Sequence, residues 1–308
     1  MTAAAVSPPA VVAIGGGHGL AATLRALRAL ADPLTAVVSV ADDGGSTGRL
    51  RRAVDQPAPG DLRKCLVALG DPDNLLTRVM ERRLDWLAPV RGADAALDRA
   101  IVGHPVGNLL IAEATDEVGD LVDALGRLGV AMGVRGRVLP ATTTPVQLHA
   151  QLLDGREVCG QVRVMGSLGI DSVHLDPATA AAPQAVLDAI ARADAIVLGP
   201  GSLYTSVLAA LAVSGIIEAV AASAARRIYV CNLHPQAGET AGYDVAEHVA
   251  ALARHGVTPD VVLVDPAEIE PGALSPTGPV VVSTSLTSAG VVGHDPAKLG
   301  PAILAALG

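Results

Sequence analysis

Two short apolar runs near the start of the chain each end in a glycine-rich turn. The first, Val11-Val12-Ala13-Ile14, enters Gly15-Gly16-Gly17-His18-Gly19-Leu20 and then a helical run from Ala21 to Leu30. The second, Leu34 to Val40, enters Ala41-Asp42-Asp43-Gly44-Gly45-Ser46-Thr47-Gly48-Arg49-Leu50. A short β-branched run, a glycine turn and an amphipathic helix make up the strand–loop–helix unit of a nucleotide-binding sheet. Further on, Asp61 reads as the N-cap of a helix reaching Leu69, Asp73 to Leu87 as another helix, and residues 88–100 as a connection or mobile loop. Gly103-His104-Pro105-Val106-Gly107-Asn108 leads into a helix predicted from Leu109 to Leu128.

The texture changes over residues 137–176. Val146, Leu148, Ala150 and Leu152 alternate with polar positions, Asp154-Gly155 follows, and Val158, Val162 and Val164 alternate again. An Asp-Gly pair between alternating runs predicts an antiparallel hairpin, to which Val173-His174-Leu175 adds a third strand. The βα rhythm then returns. Helices are predicted over Ala185–Arg192, Ile216–Ala224, Asp244–His255 and Pro296–Leu307; strands over Ala195–Leu198, Ile228–Cys231, Val261–Val264 and Val280–Val282. A further glycine turn, Gly199-Pro200-Gly201-Ser202-Leu203-Tyr204-Thr205-Ser206, follows Leu198. This order predicts an α/β fold with a doubly wound, mainly parallel sheet, a small antiparallel hairpin insert at about 137–176, and sites at the carboxyl ends of the strands.

Composition narrows the picture. The 308 residues suffice for one large α/β domain or two smaller ones, and the core must be aliphatic, since the chain has no Phe, one Trp and three Tyr. A net charge of −9 and the scarcity of aromatic platforms argue against nucleic-acid binding. Cys65, Cys159 and Cys231 lack metal-ligand spacing and fit a reducing, cytoplasmic setting, and no secretory leader is evident. The most apolar window, Val207 to Ala222, falls short of the roughly 20 residues that span a bilayer and reads as a buried helix pair, so no membrane insertion is expected.

Several residues could carry chemistry. Gly15, Gly16, Gly17, His18 and Gly19 form either a plain tight turn or a cradle for a diphosphate, because glycines admit close approach and a helix start offers free N–H groups. Asp42 and Asp43 could hydrogen-bond a ribose, hold Mg²⁺, or divide into a turn cap (Asp43) and a solvent-facing side chain (Asp42). Arg49, Arg51, Arg52, Arg63 and Lys64 make either a solvated helix face or an anion-binding patch, and Arg side chains and backbone N–H groups would then dominate phosphate affinity. His104 and Asn108 offer hydrogen bonds to a ligand or a structural turn with a capping Asn. Asn232, His234, Gln236, Glu239 and Thr240 leave a strand at the same predicted edge. A nucleophile elbow is not met around Ser202, the eight histidines lack zinc-site spacing, and Leu20 in the third glycine position argues against a dinucleotide fingerprint.

These blocks together resemble the gluconeogenesis-factor proteins, also called YvcK. The blocks are Ile14–Leu20, Val40–Leu50, Pro59–Arg63, Gly103-His104 with Gly107-Asn108, Arg135–Pro140, Gly199–Ser206, Cys231–Leu233, Gly238–Thr240, Gly242-Tyr243 and His294–Pro296, in collinear order over nearly the whole chain. That family belongs to a wider group similar to 2-phospho-L-lactate transferase. The resemblance implies a single CofD-like, Rossmann-type domain over residues 1–308. It implies a cytoplasmic protein that binds UDP-N-acetylglucosamine and supports cell shape and wall synthesis on gluconeogenic carbon, binding rather than catalysing. On that reading the first glycine turn takes the diphosphate, Asp42 or Asp43 a ribose or sugar hydroxyl, and Gly201, Ser202, Asn232 and Thr240 close the pocket. The alternative is a phosphoryl-linked group transferase in which Asp42 and Asp43 anchor Mg²⁺ and Arg63 stabilises charge. A homo-oligomer, and cell-wall synthesis or regulatory proteins as partners, stay open. Four departures from the family stand out: His18 in place of a usual Thr, Lys64 in place of Asn, Pro105-Val106 in place of Ser-Phe, and Gly293 in place of Arg. In addition, the segment 266–279 is short and lacks a Tyr.

Overall fold

A computed structural model describes residues 7–86 and 102–308; the stretch read as a connection, residues 88–100, lies outside them. Seven parallel strands form the main sheet. They are β1 (Val11–Gly15), β2 (Leu34–Val38), β3 (Arg137–Pro140), β7 (Ala195–Leu198), β8 (Arg226–Val230), β9 (Val261–Val264) and β10 (Val280–Ser283). Their spatial order is β10-β9-β8-β7-β1-β2-β3. The apolar runs without alternation make sense here, because helices cover both faces of a parallel sheet: Val11 to Ile14 and Ala195 to Leu198 are all buried. The chain winds outward from β1 through β2 to β3, then returns to the other side of β1 at β7. The crevice beyond the carboxyl ends of β1 and β7 is therefore the topological switch point, where ligands of doubly wound sheets sit.

A separate three-stranded antiparallel sheet runs β5 (Glu157–Cys159), β4 (Gln147–Leu152), β6 (Ile170–Asp176). The Asp154-Gly155 hairpin lies between β4 and β5. Arg137–Pro140, counted with the insert from sequence, instead pairs with β2 in the main sheet, so the antiparallel part begins at Gln147. Alternation could not separate these, since an edge strand of a parallel sheet also exposes Arg137. Tyr204 donates to the Ile170 carbonyl and the Val173 N–H donates to His255 Nε2, fixing the small sheet against the main body.

Helices α1 (Gly17–Leu27), α2 (Gly45–Arg51), α3 (Pro59–Leu69) and α4 (Leu75–Glu81) follow the first two strands. α1 packs on α3 and on the C-terminal helix Pro296–Ala305. Several boundaries differ from the sequence reading: the helix read as Asp73–Leu87 ends at Glu81, and Val162 and Val164, read as an alternating strand run, lie in the short helix Gln161–Met165. Pro59 occupies the first turn of α3, so its N-cap is Ala58 and Asp61 sits inside the first turn; proline's fixed φ suits that position. The helix read as Leu109–Leu128 is two helices, Val106–Val118 and Leu121–Ala131, because Gly119 turns left-handed at φ 75° and Asp120 caps the second. Among the described residues, no helix is long and apolar enough to cross a membrane.

Candidate functional site

A cleft of about 300 Å³ opens at the switch point. Its floor is Gly16, Gly17 and Gly19 after β1, and Gly201 after β7. Gly17 has φ 64°, the left-handed conformation that glycine adopts without a Cβ penalty. Gly19 serves another end. A Cβ there would lie 2.2 Å from the Pro200 carbonyl oxygen and 2.8 Å from the Gly201 Cα, so the two glycine turns touch backbone to backbone. Thr23 Oγ1 donates to the Gly199 carbonyl at 2.9 Å and holds the turns together from below. α1 begins in the cleft, and its N-cap, Gly16, supplies no side-chain acceptor for the first N–H groups. The first amides and the positive helix end lie at the cleft uncapped by Gly16, with the Asp61 carboxylate standing against that residue.

The walls come from four other segments. Ser39 and Asp42 follow β2; Asp61 and Lys64 project from α3; Ser202, Thr205 and Ser206 continue the β7 turn; Gln161, Met165 and Gln236 close the far side. Asp42 Oδ1 accepts the Gly44 N–H at 2.9 Å. Burial, reinforced by the nearby Asp61, pushes its carboxyl above the usual range, while the bonds from Gly44 and Thr47 oppose this. Asp61 is buried and its Oδ1 accepts from Lys64 at 2.9 Å. His18 stands exposed at the rim, its pKa lowered by partial desolvation and by Lys64.

The adjacent aspartates divide their work opposite to the sequence reading. Asp42 caps the turn and lines the cleft; Asp43 leaves it. Both Asp43 oxygens accept backbone N–H groups at 3.0 Å, from Gln161 and Val162, and so cap the short helix Gln161–Met165 that brings Gln161 and Met165 to the cleft. The two carboxylates therefore do not converge on one Mg²⁺ position; within the cleft, Asp42 has Asp61 as its carboxylate neighbour.

The arginines also point elsewhere. Arg63 is buried and donates from Nε to Asn108 Oδ1 at 3.0 Å. Arg51 donates to the Asp42 and Val146 carbonyls, and Arg49 to the Val102 carbonyl. Lys64 is the cationic residue of the lining. His104 is buried with Nδ1 2.6 Å from Ser46 Oγ, steadying α2 rather than lining the cleft. Asn232 sits one layer back, its Oδ1 accepting the Gly201 N–H at 2.9 Å, and Thr240 accepts the Gln236 N–H at 2.9 Å. Gly15 ends β1 and is buried beneath the floor. Of the residues picked from sequence, Gly16, Gly17, His18, Gly19, Asp42, Lys64, Gly201, Ser202 and Gln236 meet in the cleft. Gly15, Asn232 and Thr240 support it, while Asp43, Arg63, His104 and Asn108 organise the surrounding loops.

Sequence reasoning missed Ser39, Asp61, Gln161, Met165, Thr205 and Ser206 as lining residues. For Asp61 a signal existed: three positions before Lys64 on a helix, it shares that residue's face. For Gln161 and Met165 there was none, because the Asp43 bonds that bring them in span more than a hundred positions.

A model of the family described as "2-phospho-L-lactate transferase CofD" matches residues 11–290. The chain belongs to the CofD family. The chain is also similar to proteins named gluconeogenesis factor or putative gluconeogenesis factor. The gluconeogenesis factor of Halalkalibacterium halodurans is 40% identical over 82% of this chain and 76% of its own length. That of Bacillus subtilis is 40% identical over 80% and 75%. A putative gluconeogenesis factor from Nostoc is 44% identical over 79% of this chain, which spans about half of that relative, 51%. The Deinococcus radiodurans relative is likewise longer, matched over 65% of its length. A crystal structure of a UPF0052-family protein from Bacillus halodurans superposes with a TM-score of 0.84 at 35% identity, covering 97% of this CofD-family chain and 99% of the other.

Proposed function

We propose that this CofD-family chain is a nucleotide-sugar-binding regulatory protein, with UDP-N-acetylglucosamine as its ligand, acting in the cytoplasm to support cell shape and wall synthesis during gluconeogenic growth. The observation that carries the reading is the uncapped start of α1, whose glycine turn abuts the β7 turn at the switch point, with Lys64 beside it. Backbone amides at a helix start and one ammonium group suit a diphosphate. The polar wall of Ser39, Asp42, Ser202, Ser206, Gln161 and Gln236 suits sugar and ribose hydroxyls. Kinship with gluconeogenesis factors supplies the biological side of the proposal.

The test is a thermal-shift series with UDP-N-acetylglucosamine, UDP-glucose, NAD and GTP, each with and without Mg²⁺. A ligand at about 100 times its Kd stabilises the folded chain by about 2.7 kcal/mol. A shift with the uridine sugars and none with NAD supports the proposal; no shift with any uridine compound overturns it. One observation favours a second reading, an Mg²⁺-dependent phosphoryl-linked group transferase: Asp42 and Asp61 share the cleft, and the like charge of Asp61 helps raise the Asp42 carboxyl, an arrangement that a divalent cation relieves. Turnover of a nucleoside-diphosphate donor that requires Mg²⁺ and is lost in Asp42→Asn would establish it.

A further inference from the structure

The three-stranded sheet carries a second chemical cluster, away from the cleft. One face of this sheet is apolar and buried through Leu148, Ala150, Leu152, Val173 and Leu175. The opposite face brings together His149 of β4, Glu157 of β5 and His174 of β6. His149 is directly opposite His174 and opposite Cys159, while Glu157 is opposite Gln151, two positions along on the same face. Cross-strand neighbours at those offsets meet through their side chains. Glu157 Oε1 lies 3.2 Å from His149 Nδ1 and 3.4 Å from His174 Nε2, and one donor atom from each of the three residues falls within 4.8 Å of the others.

We propose that His149, Glu157 and His174 form a binding site for a divalent transition-metal ion of the zinc type. Two imidazoles and a carboxylate are a borderline donor set that suits Zn²⁺ and its neighbours rather than Mg²⁺ or Ca²⁺. Zinc–nitrogen and zinc–oxygen bonds of about 2.0–2.2 Å place tetrahedral donors about 3.3 Å apart, which is the spacing Glu157 keeps from both histidines. The ring contact also fits. His149 and His174 stack with centroids 5.2 Å apart, so both rings reach the same side of Glu157. Cys159 completes the arrangement: its sulfur lies 3.3 Å from His149 Nε2, the nitrogen turned away from Glu157. A sulfur accepting the Nε2–H leaves the Nδ1 lone pair for the metal, the orienting contact that metal-bound imidazoles regularly make. Three protein donors leave a fourth position to water. A row of three ligands on three strands would pin β5 to β4 and β6, and β5 leads directly into the helix Gln161–Met165.

The test uses the full chain, freed of metal with chelator, titrated with Zn²⁺ alone in a calorimeter. The expected result is one saturable equivalent per chain. His149→Ala, Glu157→Gln and His174→Ala should each weaken it by more than about 100-fold, and Cys159→Ala by about 10- to 100-fold, as for orienting contacts around metals. Glu157 and His174 are exposed, so those variants keep the fold, which their melting without metal will verify. Co²⁺ gives an independent readout: a tetrahedral-type visible spectrum in the wild type and an aqueous-ion spectrum in His149→Ala. Wild-type protein that binds no saturable equivalent, or a His174→Ala variant that binds as the wild type does, overturns the proposal.

Discussion

Replacing Gly19 by Ala tests whether contact between the two glycine turns holds the cleft together. The added Cβ would fall 2.2 Å from the Pro200 carbonyl oxygen, 2.5 Å from its carbon and 2.8 Å from the Gly201 Cα. All three are backbone atoms, so no side-chain rotation relieves the overlap. The β7 turn must retreat by about 0.8 Å to bring even the closest pair to 3.0 Å, the lower limit of real contacts. That retreat works against the buried bond from Thr23 to the Gly199 carbonyl. Overpacking costs about 1–3 kcal/mol and a weakened buried hydrogen bond about 1 kcal/mol. Gly→Ala inside a helix returns about 0.8–1 kcal/mol. The net loss is about 1–3 kcal/mol, a fall in Tm on the order of 5 °C. Gly17→Ala is the control: its φ is 64° but nothing lies within 4 Å, so only left-handed strain of about 1 kcal/mol applies. Differential scanning fluorimetry should rank wild type, Gly17→Ala and Gly19→Ala in descending Tm. UDP-N-acetylglucosamine affinity should fall at least tenfold in Gly19→Ala, because the amides of the two turns no longer share one surface. A Gly19→Ala protein that melts with the wild type and keeps its affinity would refute this account of the cleft.

Three other perturbations have definite expected outcomes. His294 is buried, and desolvation lowers its pKa to about 4, while its Nε2 sits 3.1 Å from the Cys231 carbonyl. The unfolded chain takes up a proton near 6.5 and the folded chain only near 4, so stability is complete above 6.5 and falls by on the order of 3 kcal/mol as the pH drops between those values; His294→Asn should flatten the Tm-against-pH curve over that window. Asp43→Ala removes acceptors for Gln161 and Val162, with a cost of about 1 kcal/mol as for a lost cap, and hydrogen exchange should speed up at residues 161–165 while the main sheet stays protected. Lys64→Met removes the cleft's ammonium group; a charge-assisted bond to phosphate of about 1.5–3 kcal/mol implies a Kd for UDP-N-acetylglucosamine raised by roughly 10- to 150-fold at low salt, as measured by calorimetry.

The sheet was legible because its information is local. Val11 to Ile14, Ala195 to Leu198 and Val261 to Val264 are short unbroken apolar runs, and a parallel sheet covered on both faces asks for that pattern. The glycine turns were legible for the same reason. Pairings between distant segments were not. Asp43 reads as a turn residue in its own neighbourhood, yet its oxygens bond residues 161 and 162. Arg63 reads as a free cation beside a glycine turn, yet it is buried against Asn108. His149, Glu157 and His174 lack any zinc-like spacing along the chain because strand pairing, not sequence proximity, brings them together.

Charge placement narrows what the composition left open. An acidic chain with arginines clustered after a glycine turn suggests that side-chain cations and backbone N–H groups capture an anion together. In the fold Arg49, Arg51 and Arg63 bond carbonyls and Asn108 around the loops, and the cleft keeps one ammonium group beside two carboxylates, Asp42 and Asp61. A lone lysine already engaged by Asp61 cannot by itself hold a doubly charged diphosphate against Asp42. On the proposed reading, attraction comes from groups that carry no formal charge, the amides opening α1, where several N–H groups converge without the desolvation cost of further cations. On that reading the fit of Gly19 against Pro200 and Gly201, backbone against backbone, has a purpose: a surface made of main chain is positioned by how nearly its loops can approach, and only glycine permits that distance.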